Sequence, residues 1–175
     1  EPVGRHLEGC RIGFDAGGSD RKVSAVIDGE PVYSEEVVWF PKTNSDPSYH
    51  YQGILDAMKT AASHMPRVDG IGVSSAGVYV DNKIMIASLF LKVSDEDFEK
   101  HVKHMYTDVA EEFGRELGCK IPVEVANDGD VTALAGAMSL EDTGVLGIAM
   151  GTSEAGGYVD TAGNITGWIN ELAFV

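Results

Sequence analysis

The sequence predicts an α/β chain: a βββαβα unit on a mixed sheet, followed by the first strands of a second, similar unit. Three observations carry this. Three strand-like runs in succession are followed by helix, strand and helix. A strand–glycine turn–strand pattern near residue 12 recurs near residue 148, and the 21 glycines of the 175 residues are clustered. A three-stranded meander followed by helix–strand–helix gives a mixed sheet with helices on its faces, and approximate duplication is itself an organising signal.

The elements follow in order. Arg11–Asp15 is a strand that enters a Gly-Gly-Ser turn, and Lys22–Ile27 returns with partial polar–apolar alternation. Asp28-Gly29 is a hairpin signal, and Val32–Phe40 forms the third strand before Pro41 and Asn44-Ser45-Asp46-Pro47 break the sheet. A helix is predicted from about Tyr49 to Met65, with Ile54, Leu55, Met58, Ala61 and Ala62 as its apolar stripe. Asp69–Ser74 is a short buried strand, and Val78–Val80 and Lys83–Ile86 form a small hairpin around Asp81-Asn82. A second helix is predicted from about Asp95 to Leu117, with Ser94 as N-cap, acids in its first turn and Gly118 as C-cap. Pro122–Ala126 is a strand leading to Asn127-Asp128, and Val131–Leu140 is an alanine-rich helix.

A boundary at Glu141–Gly144 divides the chain into a first lobe, 10–143, and the start of a second, 144–175. In the second, Val145–Met150 is a strand, Gly151-Thr152-Ser153 a turn and Gly156–Val159 the returning strand. The second unit has no helices to cover its sheet. A half-covered sheet exposes apolar area and unpaired edges, so the chain reads as part of a longer protein.

Composition narrows the function classes. A net charge of −15, with acids spread along the chain, argues against nucleic acid, whose affinity comes from Lys and Arg neutralising phosphates. It does not argue against a small phosphorylated ligand, which backbone N–H groups and Mg²⁺ can hold. Cys10 and Cys119 are far apart and read as reduced thiols of a cytoplasmic protein. No apolar run reaches the roughly 18 residues of a membrane span, and the N-terminus has no signal-peptide core.

Three segments carry chemistry. In Asp15-Ala16-Gly17-Gly18-Ser19 the glycines let turn N–H groups face an anion, Ser19 adds a hydroxyl, and Asp15 can hold Mg²⁺ directly or through water. Alone, the segment reads as a plain hairpin turn. Gly151-Thr152-Ser153 with Gly156-Gly157 repeats the logic, and two such turns suggest a phosphate chain clamped between two lobes. Asn127-Asp128 follows a strand. There, Asp128 suits a general base that accepts the proton of an attacking hydroxyl, and Asn127 offers a donor and an acceptor to a polyol. Asp128 as the N-cap of the next helix is the plain alternative. His101 and His104, three apart, read as a solvated helix face, and Trp39, Phe40 and Phe90 as core.

Together these segments resemble the ROK family of sugar kinases and related repressors, within the actin-like ATPase (ribonuclease H-like) superfamily. Ile12–Ser19 looks like the family's first phosphate motif, Val125–Asp130 like its Asn-Asp segment, and Gly151-Thr152 like its second phosphate motif. Gly72–Gly77 stands in the place of the Gly-x-Pro-Gly loop near the sugar, and Gly167–Leu172 resembles the Gly-Glu-Ile segment, with Glu171 at the sugar-contacting position. The sequence departs from the pattern at Asp20, where Lys is usual, at Ser153-Glu154, at Ser75-Ala76, which lacks the proline, and at Phe174, where a metal-binding His would stand.

The resemblance implies ATP-dependent phosphorylation of a hexose or similar sugar, with ATP and Mg²⁺ as cofactors. Asp128 would be the base, and Asn127, Glu171, Ser75 and Gly77 would bind the sugar. Gly17, Gly18, Ser19, Gly151 and Thr152 would hold phosphates, and Asp15 the Mg²⁺. The implied partners are sugar and ATP, with neither nucleic acid nor membrane; a homodimer stays open. Two other readings stand beside it. One is a sugar-responsive repressor core, which normally needs an N-terminal helix-turn-helix where about ten residues precede the first strand here. The other is a sugar-independent actin-like ATPase acting as an activator or switch.

Overall fold

The computed structural model describes residues 7–150, 154–166 and 170–172. Strand β1 (Cys10–Ala16) buries Cys10, Ile12, Phe14 and Ala16 on one face and leaves Arg11, Gly13 and Asp15 half-buried on the other, the period-two alternation of a sheet with one covered face. It pairs antiparallel with β2 (Asp20–Ile27), which pairs antiparallel with β3 (Glu30–Val38) through a bulge at Ala25/Val26. Asp28 and Gly29 join β2 to β3 with φ of 50° and 86°, the left-handed pair a two-residue hairpin needs.

Helix α1 (Pro47–Ala62) packs Ile54, Leu55, Met58 and Ala61 into the core. It is followed by β4 (Gly70–Ser75) and the hairpin of β5 (Val78–Val80) and β6 (Lys83–Ile86). Next come a helical turn, α2 (Asp95–Asp97), a π-turn over Phe98–Val102, and α3 (Met105–Leu117). Strand β7 (Val123–Asn127) then leads directly into α4 (Asp128–Leu140), and the described chain continues into the hairpin β8 (Val145–Met150) and β9 (Glu154–Val159).

The main sheet has the order β3-β2-β1-β4-β7, with β4 parallel to both β1 and β7. Helices α1 and α3 cover one face, where Met58, Met105, Tyr106, Val109 and Phe113 meet Ile12, Phe14 and Val73 in one core. Full burial of each such side chain contributes on the order of 1.5–3 kcal/mol. The free edge of β7 is satisfied by a side chain. Asn82, in a left-handed turn at φ 62°, accepts from Val125 N–H at 2.7 Å and donates to Val123 O at 3.2 Å.

Helix α4 bridges the two units. A Cβ added at Gly129 would lie 2.8 Å from the backbone of Gly156, and one at Gly157 would lie 2.5 Å from Asp130 Cα. Gly147 lies equally close to Ala133. The helix therefore rests backbone-to-backbone on the β8–β9 hairpin, which explains its small residues. The hairpin turns Leu146, Ile148 and Met150 outward, away from the helix. No described helix is long and apolar enough to cross a membrane.

Several sequence expectations change. The third strand ends at Val38, and Phe40, expected in the core, is 63% exposed, whereas Trp39 and Phe90 are buried. Trp39 turns inward because its N–H donates to Ser19 O, which sends the next side chain out. Helix α1 starts at Pro47 because Asp46 is an N-cap that accepts from Ser48 N–H, with proline at the first helical position. The predicted 95–117 helix is interrupted: Lys103 N–H bonds back to Phe98 O, and His104 has left helical geometry at φ −113°. Helix α4 begins at Asp128 with Asn127 as its N-cap, so Asp128 is not the cap.

Candidate functional site

Strand register assembles the site. Ala16 lies opposite Ser75 and Ser75 opposite Asn127 in a parallel run. The chain therefore leaves β1, β4 and β7 at the same end of the sheet, where α/β sheets bind ligands. The turn 17–19, the loop at Ala76-Gly77 and the start of α4 are brought together there. Gly151, Thr152 and Ser153, as well as Gly167–Ile169 and Phe174, lie outside the described residues.

The β1–β2 turn is braced from behind. Trp39 donates its indole N–H to Gly17 O at 2.7 Å and its backbone N–H to Ser19 O at 3.1 Å. Asp20, whose carboxylate would place a negative charge at this turn, is 2.9 Å from Lys22 Nζ and accepts from Ser19 Oγ at 3.2 Å. The Lys22 bond holds its carboxyl below the usual range. A second cation was not visible in the sequence: Lys42, in the turn Pro41–Thr43, lays its side-chain end against Gly18, with Nζ 2.8 Å from where a Cβ would stand. Asp15 sits on the sheet face not covered by α1 and α3. It lines a groove of about 580 Å³ together with Lys22, Ser74, Val131 and Leu134.

Deeper in, Asn127 and Glu171, each 4% exposed, are tied together. Glu171 Oε1 accepts from Gly77 N–H at 2.6 Å and from Asn127 Nδ2 at 3.0 Å. Asn127 Nδ2 also donates to Gly77 O at 2.9 Å, and its Oδ1 caps α4 by accepting from Gly129 N–H at 2.8 Å. Both amide hydrogens of Asn127 are thus engaged. Ser75 is fully buried and accepts from Tyr106 O–H at 3.1 Å; Tyr79 O–H donates to Ala76 O at 2.9 Å. Burial pushes the Tyr79 and Tyr106 hydroxyls up, Tyr106 to about 12, so both serve as neutral donors under the 75–77 loop.

Asp128 stands at the first helical position of α4, where the helix dipole favours an acid. Burial, then the neighbouring Glu171 and Asp15 charges, raise its carboxyl above the usual range, while Gly129 N–H at 3.0 Å opposes this. A half-buried carboxylate of raised proton affinity at the mouth of three converging loops can accept a proton from a hydroxyl placed there.

Two residues off the sequence-predicted set hold the second unit to this turn. Asp130 is 7% exposed, with Oδ1 buried and unpartnered; burial pushes its carboxyl up, and the neighbouring Asn170 amide opposes this. Asn170 in turn bonds Gly156 in both directions, its Nδ2 to Gly156 O and its O from Gly156 N–H, each at 2.8 Å. This anchors the neighbouring Glu171. His101, in the π-turn, and His104, at the break before α3, are both exposed, so the solvated reading holds although the continuous helix does not.

No family model and no curated protein matches the sequence. Solved structures do match in fold. A polyphosphate/ATP-glucomannokinase from Arthrobacter sp. strain KM superposes with a TM-score of 0.68 at 21% identity, over 93% of this chain and 62% of its own. A ROK hexokinase from Thermus thermophilus gives 0.61 at 17% identity, over 93% and 50%. A ROK family transcriptional regulator, a homologue of E. coli MLC, gives 0.66 at 18% identity, over 95% and 40%. The chain spans less than two thirds of each. Its fold is the α/β fold that these two sugar kinases and the ROK regulator share, in keeping with the resemblance carried by the motifs.

Proposed function

We propose that this chain belongs to a ROK-type sugar kinase and supplies the acceptor-activating part of its site: phosphoryl transfer from ATP to a sugar hydroxyl, with Asp128 as general base. One observation carries the reading. The carboxylate of raised proton affinity stands where β1, β4 and β7 all release their loops, beside a glycine turn suited to phosphate.

Asp128 accepts the hydroxyl proton as the bond to phosphorus forms. The Gly17–Ser19 turn, held by Trp39, presents backbone N–H groups to phosphate oxygens. Asn127, Glu171 and Gly77 give shape to the sugar side by fixing one another, so sugar recognition falls to groups with bonding capacity left over. ATP supplies the phosphoryl group. Mg²⁺ suits Asp15: among the described residues no cluster of three or more metal ligands occurs, and Mg²⁺ commonly takes one or two carboxylates together with substrate phosphates and water.

A sugar panel assayed for ATP-coupled phosphosugar formation with the complete protein tests the reading. Turnover with at least one hexose, lost in Asp128→Ala with nucleotide binding retained, is expected; unchanged turnover in Asp128→Ala sinks the assignment. The closed Glu171–Asn127–Gly77 cluster favours a second reading, a sugar-responsive regulator or switch, because the two residues expected to hold the sugar hold each other. Sugar binding without phosphosugar formation selects it.

A further inference from the structure

The turn that the proposed function assigns to phosphate has a cation that no motif marks. The position after Ser19 carries Asp20, and the nearby Lys22 is bound to that aspartate at 2.9 Å. Lys42 is different. Its Cε and Nζ would lie 2.6 and 2.8 Å from a Cβ at Gly18, so its side-chain end occupies the space that the glycine leaves open. Among the described residues, Lys42 has no carboxylate at ion-pair distance. In a chain of net charge −15, this is an uncompensated ammonium resting on a Gly-Gly-Ser turn.

The surroundings fix both halves of the arrangement. Trp39 holds the carbonyls of Gly17 and Ser19. Because a trans peptide sets N–H opposite C=O, the N–H groups of Gly18 and Asp20 point away from the indole side. Lys42 projects from a short turn whose Pro41 is buried. Pro41 O accepts from Asn44 N–H at 3.2 Å and lies 3.0 Å from His50 Nε2.

We propose that Lys42 is the cation of the β1–β2 turn, and that its ammonium and the Gly18 N–H together seat a phosphate group of an oligophosphate donor. This rests on the reading of the turn as a phosphate seat and adds the residue that neutralises the charge. An ammonium acts here as a point charge with rotatable donors, which suits a phosphate whose orientation changes between bound and transferred states. The same chemistry is offered by the phosphate chain of a nucleoside triphosphate and by inorganic polyphosphate.

Calorimetric titration of the intact chain with inorganic tripolyphosphate, with ATP and with long-chain polyphosphate, in separate arms, tests the assignment. Lys42→Met is expected to weaken tripolyphosphate about tenfold or more, the loss of one charge-assisted contact. Lys42→Arg should keep most of the affinity. Gly18→Ala, whose methyl displaces only a flexible side-chain end, should lose affinity with little change in melting temperature. Wild-type affinity in Lys42→Met, or no oligophosphate binding by the wild-type chain, overturns the proposal. Saturation by ATP alone or by polyphosphate alone supports it and names the donor. Weakened binding in Lys42→Met, together with no phosphosugar formed by the wild-type complete protein, upholds the cation and removes the kinase reading.

Discussion

Glu171 Oε1 lies 3.0 Å from Asn127 Nδ2, joining a residue of the second unit to the N-cap of α4 in the first. The same oxygen takes the Gly77 N–H at 2.6 Å, so one buried carboxylate fastens three segments that are far apart in sequence.

Removal of that carboxylate has a stability signature. Glu171→Ala leaves the Gly77 N–H and one Asn127 amide hydrogen without partners, a cost of about 1–3 kcal/mol for buried donors. A lower urea midpoint at unchanged slope is expected, with Glu171→Gln intermediate because it keeps an acceptor oxygen. An unchanged midpoint in Glu171→Ala would mean that the carboxylate serves a ligand instead of the fold.

Under the proposed kinase reading, loss of the Asp128 carboxylate acts on activity and stability in opposite directions. Burial and the Glu171 and Asp15 charges raise its folded-state pKa. The stability this group contributes is therefore present below its unfolded value, about 3.9, and is lost as pH rises through the folded value. Asp128→Asn should melt higher than wild type at neutral pH, and the difference should vanish near about pH 3. If Asp128 is the base of the proposed reaction, turnover of the complete protein falls by roughly 10²–10⁴-fold in this variant, the usual contribution of a general base. Equal melting at neutral pH would contradict the environment described for this carboxylate.

The seam between α4 and the β8–β9 hairpin is intolerant of volume. Gly157→Ala drives a methyl into Asp130 Cα at 2.5 Å and should cost about 1–3 kcal/mol or more. Gly72→Ala is the control: no atom lies within 4 Å of its added Cβ. Alanine in a strand is favoured over glycine by roughly 0.5–1 kcal/mol, so this variant should melt at or above wild type. Thermal unfolding of the pair reads the contrast directly.

Asn82 stands in for a missing strand. Asn82→Ala frees Val125 N–H and Val123 O at the β7 edge and should destabilise by roughly 1–2 kcal/mol. Faster amide exchange at Val125 would locate the loss, and unchanged protection there would refute it.

Local features of this fold were readable from local chemistry. The alternation of Ile12 and Phe14 with Gly13 and Asp15 marked β1, Asp28-Gly29 marked its hairpin, and Ser94 and Gly118 marked helix ends. The break at His104 was not readable, because the apolar spacing runs on through Val102, Met105, Tyr106 and Val109 without a fault. Asp46-Pro47 was readable but carried two meanings, breaker and cap, and only the side-chain bond to Ser48 decides between them. At the site, Asn127-Asp128 and the Gly17-Gly18-Ser19 turn stood out as residue types. Their adjacency comes from the Ala16–Ser75–Asn127 register, a property of packed strands. Lys42 and Asp130 had no signal, since a lysine in a loop and an acid in a first helical turn are ordinary until a neighbour is known.

The bond from Trp39 to Gly17 gives this protein an optical gauge. The chain has two tryptophans, and one of them holds the β1–β2 turn through its indole N–H at 2.7 Å. Indole emission depends on the polarity and field around the ring, so with Trp168→Phe the fluorescence of the protein becomes that of the turn. Occupancy of the turn can then be followed in real time, without a label and without knowing the reaction.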